Sequence, residues 1–413
     1  MYVRKKASKE KQLHSGGITR RAFTAGAAVA GAGISALSAL GCSSKAKREE
    51  AGEPQVVTDA SKIIDALSDF EEADLGVSAA QTWEVPLGTK LYHTGGSWAA
   101  CMLTPDSAMH PNTLGAFSTA SGRTFTLMEE ASLGRGYSFY DVRMSESIFA
   151  WLEIDYIAGA WALLACPFTD GSISGNPITL DSGDQDWEPA SFTCRGSSVI
   201  WQKMPQPTGK KRAETSQCLM WTSGNEKGSV LWESTGRFAT KPRVAGRSLT
   251  IAPRVRNDEG TFYGMTAIDL DDTSHGMLDQ LVLPSGIRPF EAVYAQDRFA
   301  FSIEASYESG GSLGKMGTFI GREGGSFVFF AREPLAQIMF SGSRFLIKTQ
   351  SAHYALDIEN EKIEGVSGPD RSLGFGEFPA SEGEATGVLT YATIRDAKGA
   401  PASGMARWLS LQA

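Results

Sequence analysis

Short apolar segments, each bounded by glycine, serine or charged residues, recur along the chain from residue 98 onwards. Each contains a large apolar residue near its centre, and successive central residues are 53, 50, 50, 50, 46 and 44 positions apart. These residues are Trp98, Trp151, Trp201, Ile251, Phe301, Ile347 and Tyr391. A period of about 40 to 50 residues is typical of proteins built from repeated structural units.

Each interval has room for four short strands joined by tight turns. The strand patterns are clearest at 189–194, 199–204, 217–222 and 229–233. The last strand of a unit is rich in β-branched and aromatic residues, as at 124–128, 177–180, 230–232, 280–283 and 327–330. No amphipathic helical pattern occurs after residue 80. This excludes folds in which helices connect parallel strands.

Four-stranded units at this spacing predict an all-β fold, a seven-bladed β-propeller over residues 81–413. After residue 375 the chain has only three further strand patterns, so the last blade would keep an open edge. The segment 82–87 resembles the fourth strand of a unit and precedes the first complete blade. We therefore expect this N-terminal strand to pair with the C-terminal strand at 405–411 and close the ring. The architecture resembles that of TolB-like and WD40-like propellers.

Charge is distributed unevenly along the 413 residues. The chain has 39 basic and 47 acidic side chains, and residues 1–41 contain seven of the basic ones and one of the acidic ones. From residue 42 onwards this leaves 32 basic and 46 acidic groups, a net charge of −14. Such a charge opposes adhesion to nucleic acids and to anionic lipids. We therefore expect no nucleic-acid partner.

Residues 1–42 have the organisation of an export signal. A basic region is followed by a weakly apolar stretch, too mild for a membrane span of about 20 apolar residues, and then by small residues. The motif around Arg20 and Arg21 resembles a twin-arginine translocation signal, which implies export of the folded protein. Residues 39–42 partly resemble a lipobox, which implies lipidation of Cys42 and an extracytoplasmic protein anchored to the cell membrane. The alternatives are cleavage that releases a soluble protein, or retention of the segment as a weak anchor.

Residues 43–80 are mainly polar and are predicted to be a tether between the anchor and the propeller.

In a propeller, the loops between the second and third strands and the loops between blades meet on one face. The predicted blade-to-blade loops contain Arg135, Arg237, Arg288 and Arg371. Together these guanidinium groups would attract an anionic group to the channel mouth. The alternative is that each arginine caps its own turn or pairs with a nearby carboxylate. Trp187, in a similar loop, would stack on a sugar or peptide, or alternatively wedge two blades together.

Motifs for metal binding or catalysis are not evident. The histidines are scattered over different units without the spacing of zinc ligands. Four carboxylates lie between Asp181 and Glu188, but their spacing departs from that of an EF-hand and favours a solvated turn. Neither a nucleophile elbow nor a phosphate-binding loop is found. We therefore predict no metal and no cofactor.

Four cysteines fall in predicted strands, where they are expected to be buried thiols or to form disulfides. They are Cys101, Cys166, Cys194 and Cys218.

The leading hypothesis is an exported cell-envelope propeller that acts as a non-catalytic binding or scaffold module for a protein, peptide or glycan. The alternative is a propeller hydrolase or lyase acting on carbohydrate, which needs two carboxylates about 5 to 9 Å apart in one pocket. The candidate carboxylates are Asp184, Asp186, Glu214 and Asp258. A redox function with a bound cofactor is a third alternative, suggested by the export signal alone.

Overall fold

The computed structural model of the chain describes residues 62–105, 107, 110–211, 215–256, 260–304, 316–368 and 376–411. The strands in these ranges form seven sheets of at least four strands each. Four antiparallel strands, paired in chain order, make up the body of each of the first six sheets. The seventh combines strands from the two ends of the chain.

The first half of the chain contains an N-terminal segment and three sheets. The N-terminal segment has β1 (Ile63–Asp65), α1 (Ala66–Asp69), β2 (Glu71–Glu72) and β3 (Val77–Val85). Sheet 1 has β4 (Lys90–Tyr92), β5 (Trp98–Leu103), β6 (Thr113–Ser118) and β7 (Thr124–Met128). Sheet 2 has β8 (Ser138–Met144), β9 (Ile148–Asp155), β10 (Ala160–Thr169), β11 (Ser172–Ile173) and β12 (Ile178–Gly183). Sheet 3 has β13 (Ser191–Arg195), β14 (Ser198–Lys203), β15 (Ser216–Thr222) and β16 (Ser229–Ser234).

The second half supplies four sheets. Sheet 4 has β17 (Arg243–Ala245), β18 (Ser248–Ile251), β19 (Arg254–Arg256), β20 (Phe262–Asp269) and β21 (Met277–Val282). Sheet 5 has β22 (Glu291–Ala295), β23 (Arg298–Ile303), β24 (Gly317–Gly321) and β25 (Phe327–Phe330), with a 3-10 turn at Glu323–Gly325. Sheet 6 has β26 (Met339–Ser341), β27 (Arg344–Lys348), β28 (His353–Asp357) and β29 (Lys362–Val366). Then follow β30 (Phe378–Pro379), β31 (Gly383–Glu384), β32 (Val388–Arg395) and β33 (Pro401–Leu411). Sheet 7 has β30, β32, β33 and β3, while β31 joins the edge of sheet 6.

The inner strands are apolar on both faces because neighbouring sheets pack face to face. Along β9, Phe149 and Trp151 pack in a cluster with residues of sheet 1, whereas Leu152 packs in a cluster with residues of sheet 3. The outer strands β7, β12 and β16 are mostly half-buried or exposed. The alternation of side chains along a strand therefore serves two interfaces at once.

Most of the large residues that mark the sequence repeat are buried, but two are not. Trp98 and Tyr391 are only half-buried. Trp98 is the first residue of β5, and the smaller, fully buried Ala100 lies two positions further along that strand. Counted from Ala100 instead of Trp98, the first gap is 51 residues and matches the next three more closely.

The N-terminal segment forms a strap along the outer edges of sheets 5, 6 and 7. Strand β1 pairs in parallel with β25, β2 pairs in parallel with β29, and β3 pairs antiparallel with β33 from Val77 opposite Leu411 to Val85 opposite Gly404. The predicted tether boundary at residue 80 is therefore wrong for residues 62–80, which belong to the folded part.

The short helix of the strap is fixed by capping and by burial. The Asp65 carboxylate accepts a hydrogen bond from the backbone N–H of Leu67 at 3.0 Å, which caps α1. Ala66 and Phe70 pack in the apolar cluster shared by sheets 5 and 6. The described residues contain no helix long and apolar enough to span a membrane.

Substituting Phe70→Ala should measure the contribution of the strap. Phe70 is 7% exposed, so its truncation leaves a cavity and is expected to lower the free energy of unfolding by about 3 to 5 kcal/mol. The matched control is Ile157→Ala, because Ile157 is fully exposed. Urea unfolding checks both variants, and equal stabilities would show that the strap is not packed as described.

Candidate functional site

A cavity of ≈ 680 Å³ lies where the inner ends of the sheets meet. Its wall comes from turns between the first and second strands of sheets 1, 2, 3, 4 and 6 and from residues 382–386. We refer to it as the inner-turn cavity. In an antiparallel sheet, this turn and the loop to the third strand lie at opposite ends of the second strand. The cavity is therefore on the face opposite to the rim of loops that the sequence predicted as the site.

Hydrogen bonds next to these turns join each sheet to its neighbour. Thr94 Oγ1 donates to the carbonyl of Met144, and Ser145 Oγ donates to the carbonyl of Gly196. The other contacts are Arg195 Nε to Gly246 O (3.0 Å), Ser248 Oγ to Tyr294 O (2.7 Å) and Gln296 Nε2 to Gly342 O (3.3 Å). The connection between β30 and β32 is bonded on both sides, by Ala385 N to Phe340 O of sheet 6 and by Glu382 N to His93 O of sheet 1, each at 3.0 Å. These bonds position the cavity wall.

His93 strengthens the contact between sheets 1 and 7. Its Nε2 lies 3.0 Å from the carbonyl oxygen of Gly96, and its Nδ1 lies 3.0 Å from Ser381 Oγ. Because a carbonyl only accepts, Nε2 carries the proton and Nδ1 accepts from the serine hydroxyl. Burial lowers the pKa of His93, so the ring is neutral at pH 7, and both of its nitrogens are used in hydrogen bonds within the fold.

Five charged side chains form a continuous chain next to the cavity, which we call the central charge chain. They are Asp141, Arg143, Glu382, Arg243 and Glu291. Glu382 Oε1 accepts from Arg143 Nε at 3.0 Å and lies 2.8 Å from Arg243 Nη1. Arg243 also forms a bidentate salt bridge with Glu291, in which Nε donates to Oε2 at 2.9 Å and Nη2 donates to Oε1 at 2.8 Å. Since Arg143 also pairs with Asp141, the chain links sheets 2, 4 and 5 to the connection between β30 and β31.

Burial and charge pairing oppose each other in this chain. Burial alone would raise the pKa of Glu382, but Arg143 and Arg243 outweigh it and hold that pKa below its usual range. Burial alone would lower the pKa of each arginine, but the neighbouring carboxylates outweigh it and raise both values. All three groups are therefore charged at neutral pH.

Three carboxylates reach the cavity. Glu382 lines it and is 5% exposed, and its second oxygen, Oε2, has no hydrogen-bond partner. Glu146 and Glu384 line it and are exposed. They pass so close to the turns that a Cβ atom on Gly96 would lie 2.9 Å from Glu146 Oε1, and one on Gly246 would lie 2.7 Å from Glu384 Oε2. Glycine at these turns leaves room for both carboxylates.

The sequence analysis missed the central charge chain, although part of its signal is local. Arg143 and Arg243 stand in short inner strands whose neighbours are largely apolar and buried. A single arginine in such a strand requires a buried partner. The partner, Glu382, is 239 residues away from Arg143 in an irregular connection, so its identity has no local signal.

The predicted arginine ring is placed in the loops between sheets, away from the described lining of the inner-turn cavity. Arg237 pairs with Glu188 and donates to the carbonyl of Pro205 at 2.6 Å. Arg288 donates to the carbonyl of Ala239 at 3.5 Å, and Arg135 is exposed. Arg371 lies outside the described residues, as do the predicted signal residues Arg20, Arg21 and Cys42.

Trp187 lies beside two lysines rather than standing free. The Lys203 and Lys211 ammonium groups are each 5.1 Å from its ring centroid, and its carbonyl accepts from Trp161 Nε1 at 3.2 Å. The ring is half-buried. Trp187 therefore contacts residues of both sheet 2 and sheet 3, and part of its ring is accessible to solvent.

The first residue of the acidic segment 181–188, Asp181, is hydrogen-bonded to two side chains of β14. The Asp181 carboxylate accepts from Trp201 Nε1 at 2.8 Å and from Lys203 Nζ at 2.5 Å. Asp184 accepts from the backbone N–H of Asp186 in its own loop at 3.0 Å, and Asp186 accepts from the backbone N–H of Lys210, in the loop between β14 and β15, at 3.1 Å. Glu214 and Asp258, the other predicted hydrolase carboxylates, lie outside the described residues. In the described ranges, no cluster of at least three His, Cys, Asp or Glu side chains is arranged to hold a metal ion.

A second buried charge cluster lies between sheets 6 and 7. Glu377 accepts from both Arg407 Nε and Nη2, at 2.6 and 2.7 Å. Lys348 and His353 face each other across β27 and β28, and His353 Nε2 is 3.8 Å from Glu377. Burial, with the charges of Lys348 and Arg407, lowers the pKa of His353 to about 3. This histidine is therefore neutral at physiological pH.

The four described cysteines are free thiols, so the alternative of disulfides is not observed for them. All four are buried in strands. Burial raises the pKa of Cys101 and of Cys218 to about 12, and it raises the pKa of Cys194 further. Such thiols carry almost no thiolate at neutral pH.

Comparison with known proteins identifies the architecture. No family profile matches the chain, and no curated protein matches it. Among solved structures, the chain is similar to the β-propeller domain of the Trilobed protease from Pyrococcus furiosus, at 8% identity and a TM-score of 0.50, over 81% of this chain and 97% of that one. The fold is a β-propeller.

Whole peptidases also contain a similar region. A prolyl endopeptidase matches over 75% of this chain and 46% of its own length, at 12% identity and a TM-score of 0.49. The acylaminoacyl peptidase of Pyrococcus horikoshii matches over 79% of this chain and 52% of its own length, at 10% identity and a TM-score of 0.49. This chain thus spans about half the length of these two structures.

Glu382→Gln should destabilise the propeller in a pH-dependent way. The pKa of Glu382 is lower in the folded protein than its ordinary value of 4.5. Its ionised form therefore stabilises the fold above about pH 4.5, and this contribution is lost as the pH falls further. At pH 7 the variant should lose about 3 to 5 kcal/mol of unfolding free energy, and it should show a shallower loss of stability on acidification.

Urea unfolding at several pH values measures this effect, with Glu226→Gln as the control because Glu226 is exposed and away from the central charge chain. Parallel pH profiles for the wild type and Glu382→Gln would contradict the assignment.

The buried thiols should resist alkylation. At pH 8 we expect iodoacetamide to leave Cys101, Cys194 and Cys218 unmodified in the folded protein and to label all three in urea, because the thiolate is the reactive form. Peptide-resolved mass spectrometry reads out each site. Rapid labelling of any of them without unfolding would contradict the burial described here.

Proposed function

We propose that this chain is an exported cell-envelope β-propeller that acts as a non-catalytic binding module, with its ligand in the inner-turn cavity. The observation that carries this proposal is the fixed position of Glu382 between the guanidinium groups of Arg143 and Arg243. The cavity is within the size range of small-ligand sites, about 300 to 1,000 Å³, and its wall combines hydroxyl, carboxylate and backbone groups.

The state of Glu382 favours binding over catalysis. A glycoside hydrolase needs a carboxyl group with a raised pKa to protonate the leaving group. Glu382 has a lowered pKa and shares Oε1 between two arginines, so it holds no proton to donate at neutral pH. A carboxylate in this state serves as a fixed negative charge.

We further propose that each of the seven sheets is one blade and that β3 closes the ring as the outer strand of the last blade. Two sets of observations support this arrangement. The inner turns of sheets 1 to 6 are hydrogen-bonded in succession, and the connection between β30 and β32 is bonded to sheet 1 through Glu382 and His93. Strand β3 also covers the edge of β33, which would otherwise be open to pairing with other chains.

Export and attachment to the membrane are proposed from the sequence. The Arg20–Arg21 pair and Cys42 support a twin-arginine signal followed by lipidation. The net charge of −14 after residue 41 opposes direct adhesion of the protein surface to anionic lipids, so attachment through a covalently bound lipid fits this chain better. The partner would be an envelope protein, a peptide or a glycan. The rim containing Arg135, Arg237, Arg288 and Trp187 is a second candidate contact surface on the opposite face.

Blocking the cavity should test the binding function. Thr386 is exposed on the cavity wall, so Thr386→Trp fills space there without disturbing the core. We expect the wild type to retain its partner from a cell-envelope extract and this variant to lose it, with Ile157→Trp as the exposed control away from the cavity. Neither protein should release sugars from a panel of 4-nitrophenyl glycosides.

Equal retention by wild type and Thr386→Trp would rule out the cavity as the binding site. Glycoside hydrolysis that is lost with Asp184→Asn or Asp186→Asn would instead support the carbohydrate-hydrolase alternative.

A further inference from the structure

We propose that the first part of the strap, residues 62–72, is exchanged between two copies of this chain. In the exchanged dimer, β1 and β2 of each copy pair with β25 and β29 of the other, in the register that they have within one chain. The interaction surface is the outer edge of sheets 5 and 6, and the partner is a second copy. This inference is independent of the ligand proposed for the inner-turn cavity.

The outer strands of the seven sheets fall into two classes. In sheets 1 to 4 and in sheet 7, the outer strand has a β-bulge where it pairs with its neighbour. The extra residue is Ala80 in sheet 7 and a leucine in each of sheets 1 to 4, namely Leu127, Leu180, Leu231 and Leu278. The outer strands of sheets 5 and 6, β25 and β29, instead pair with β24 and β28 in continuous register.

This difference coincides with the position of β1 and β2. A bulge bends an edge and hinders its pairing with another chain, whereas a regular edge accepts a further strand. Within the described ranges, the five bulged outer strands have no strand on their free side, and each of the two regular ones is covered by a strand of the strap. The outer edges of β25 and β29 therefore form a strand-acceptor surface.

The strap covers this surface with few contacts. Strand β1 pairs over three residues and β2 over two, both in parallel, the geometry that is slightly less stable per residue. Only Ala66 and Phe70 are buried among residues 62–72. A cavity of ≈ 660 Å³ remains between the strap and sheets 5 and 6, with Phe70, Arg332 and Tyr354 in its wall. Release of this part of the strap therefore breaks two short ladders and exposes two buried side chains.

The pivot for the exchange lies just after β2. Leu75 stays with its own propeller, because its backbone N–H donates to Glu364 Oε2 at 2.8 Å and its carbonyl accepts from Arg344. Between β2 and Leu75 the chain is half-buried at Ala73 and exposed at Asp74. Since residues 62–72 precede the propeller in the chain, they can leave both edges without passing through a loop.

A second copy is the partner because it carries the segment that the strand-acceptor surface already fits. Glu71 lies opposite Lys362, and Phe70 packs in the apolar cluster shared by sheets 5 and 6. Mutual exchange restores each of these contacts in the other copy, so its cost is mainly that of bringing two chains together. The resulting dimer is symmetric, with two exchanged straps.

Disulfide trapping between full-length chains tests the exchange. One chain carries Glu71→Cys and the other Lys362→Cys, because these positions are Cα partners in the parallel pair. Both chains carry Cys42→Ser, which removes a further thiol. After mixing and mild oxidation, we expect at least about tenfold more disulfide-linked heterodimer than with Glu359→Cys in place of Lys362→Cys. Glu359 is exposed in the turn before β29 and therefore measures chance collision at the same part of the surface.

A second measurement needs no cysteine pair. Protein held at high concentration should contain a dimer that size exclusion separates from the monomer. Phe70→Ala should make the isolated dimer return to monomer at least about tenfold faster, because release of Phe70 from its apolar cluster limits dissociation. Ile157→Ala, at a fully exposed position, should leave this rate unchanged.

Heterodimer at the level of the Glu359→Cys control would overturn the exchange. Absence of a dimer at high concentration, or a dimer whose dissociation rate does not respond to Phe70→Ala, would overturn it too. A single chain with both Glu71→Cys and Lys362→Cys should close its own disulfide, and failure to do so would overturn the strand-acceptor surface itself. Ligand binding in the inner-turn cavity is decided separately by the retention experiment with Thr386→Trp.

Discussion

The contact of Glu382 with two guanidinium groups is the interaction on which the centre of this propeller depends. Arg143 and Arg243 come from sheets that are not neighbours, and neither could be buried without a carboxylate. The connection between β30 and β32 is long enough to bring Glu382 to both of them. This irregular connection places Glu382 between the two arginines, and it also forms part of the wall of the inner-turn cavity.

Around this centre, the sheets are held by two different kinds of contact. Apolar side chains on both faces of the inner strands supply most of the buried area, and they account for the large residues repeated in the sequence. The single hydrogen bonds between inner turns contribute less stability, but they are directional and fix each turn relative to the next. Packing thus sets the spacing of the sheets, while the turn contacts set the shape of the cavity.

The sequence predicted the β-propeller fold because repeated apolar strands are local features with a regular period. It predicted the outer strands well for the same reason, as the agreement of 327–330 with β25 shows. The candidate site could not be predicted in this way. Arg143 and Glu382 are distant in the chain, and the predicted rim arginine Arg237 is paired with Glu188 in its own neighbourhood. The tether was misjudged because Ile63, Ile64 and Leu67 suggest only a short amphipathic stretch until the edges of sheets 5 and 6 are known.

The strap has a consequence for the order of folding during synthesis. Val77 pairs with Leu411, a separation of 411 − 77 = 334 residues, and β1 and β2 pair with strands that are also made late. Residues 63–85 are therefore made long before the strands with which they pair, and such distant pairing is slow. The contacts that cover the outer edges of sheets 5, 6 and 7 therefore form only after nearly all of the chain has been made.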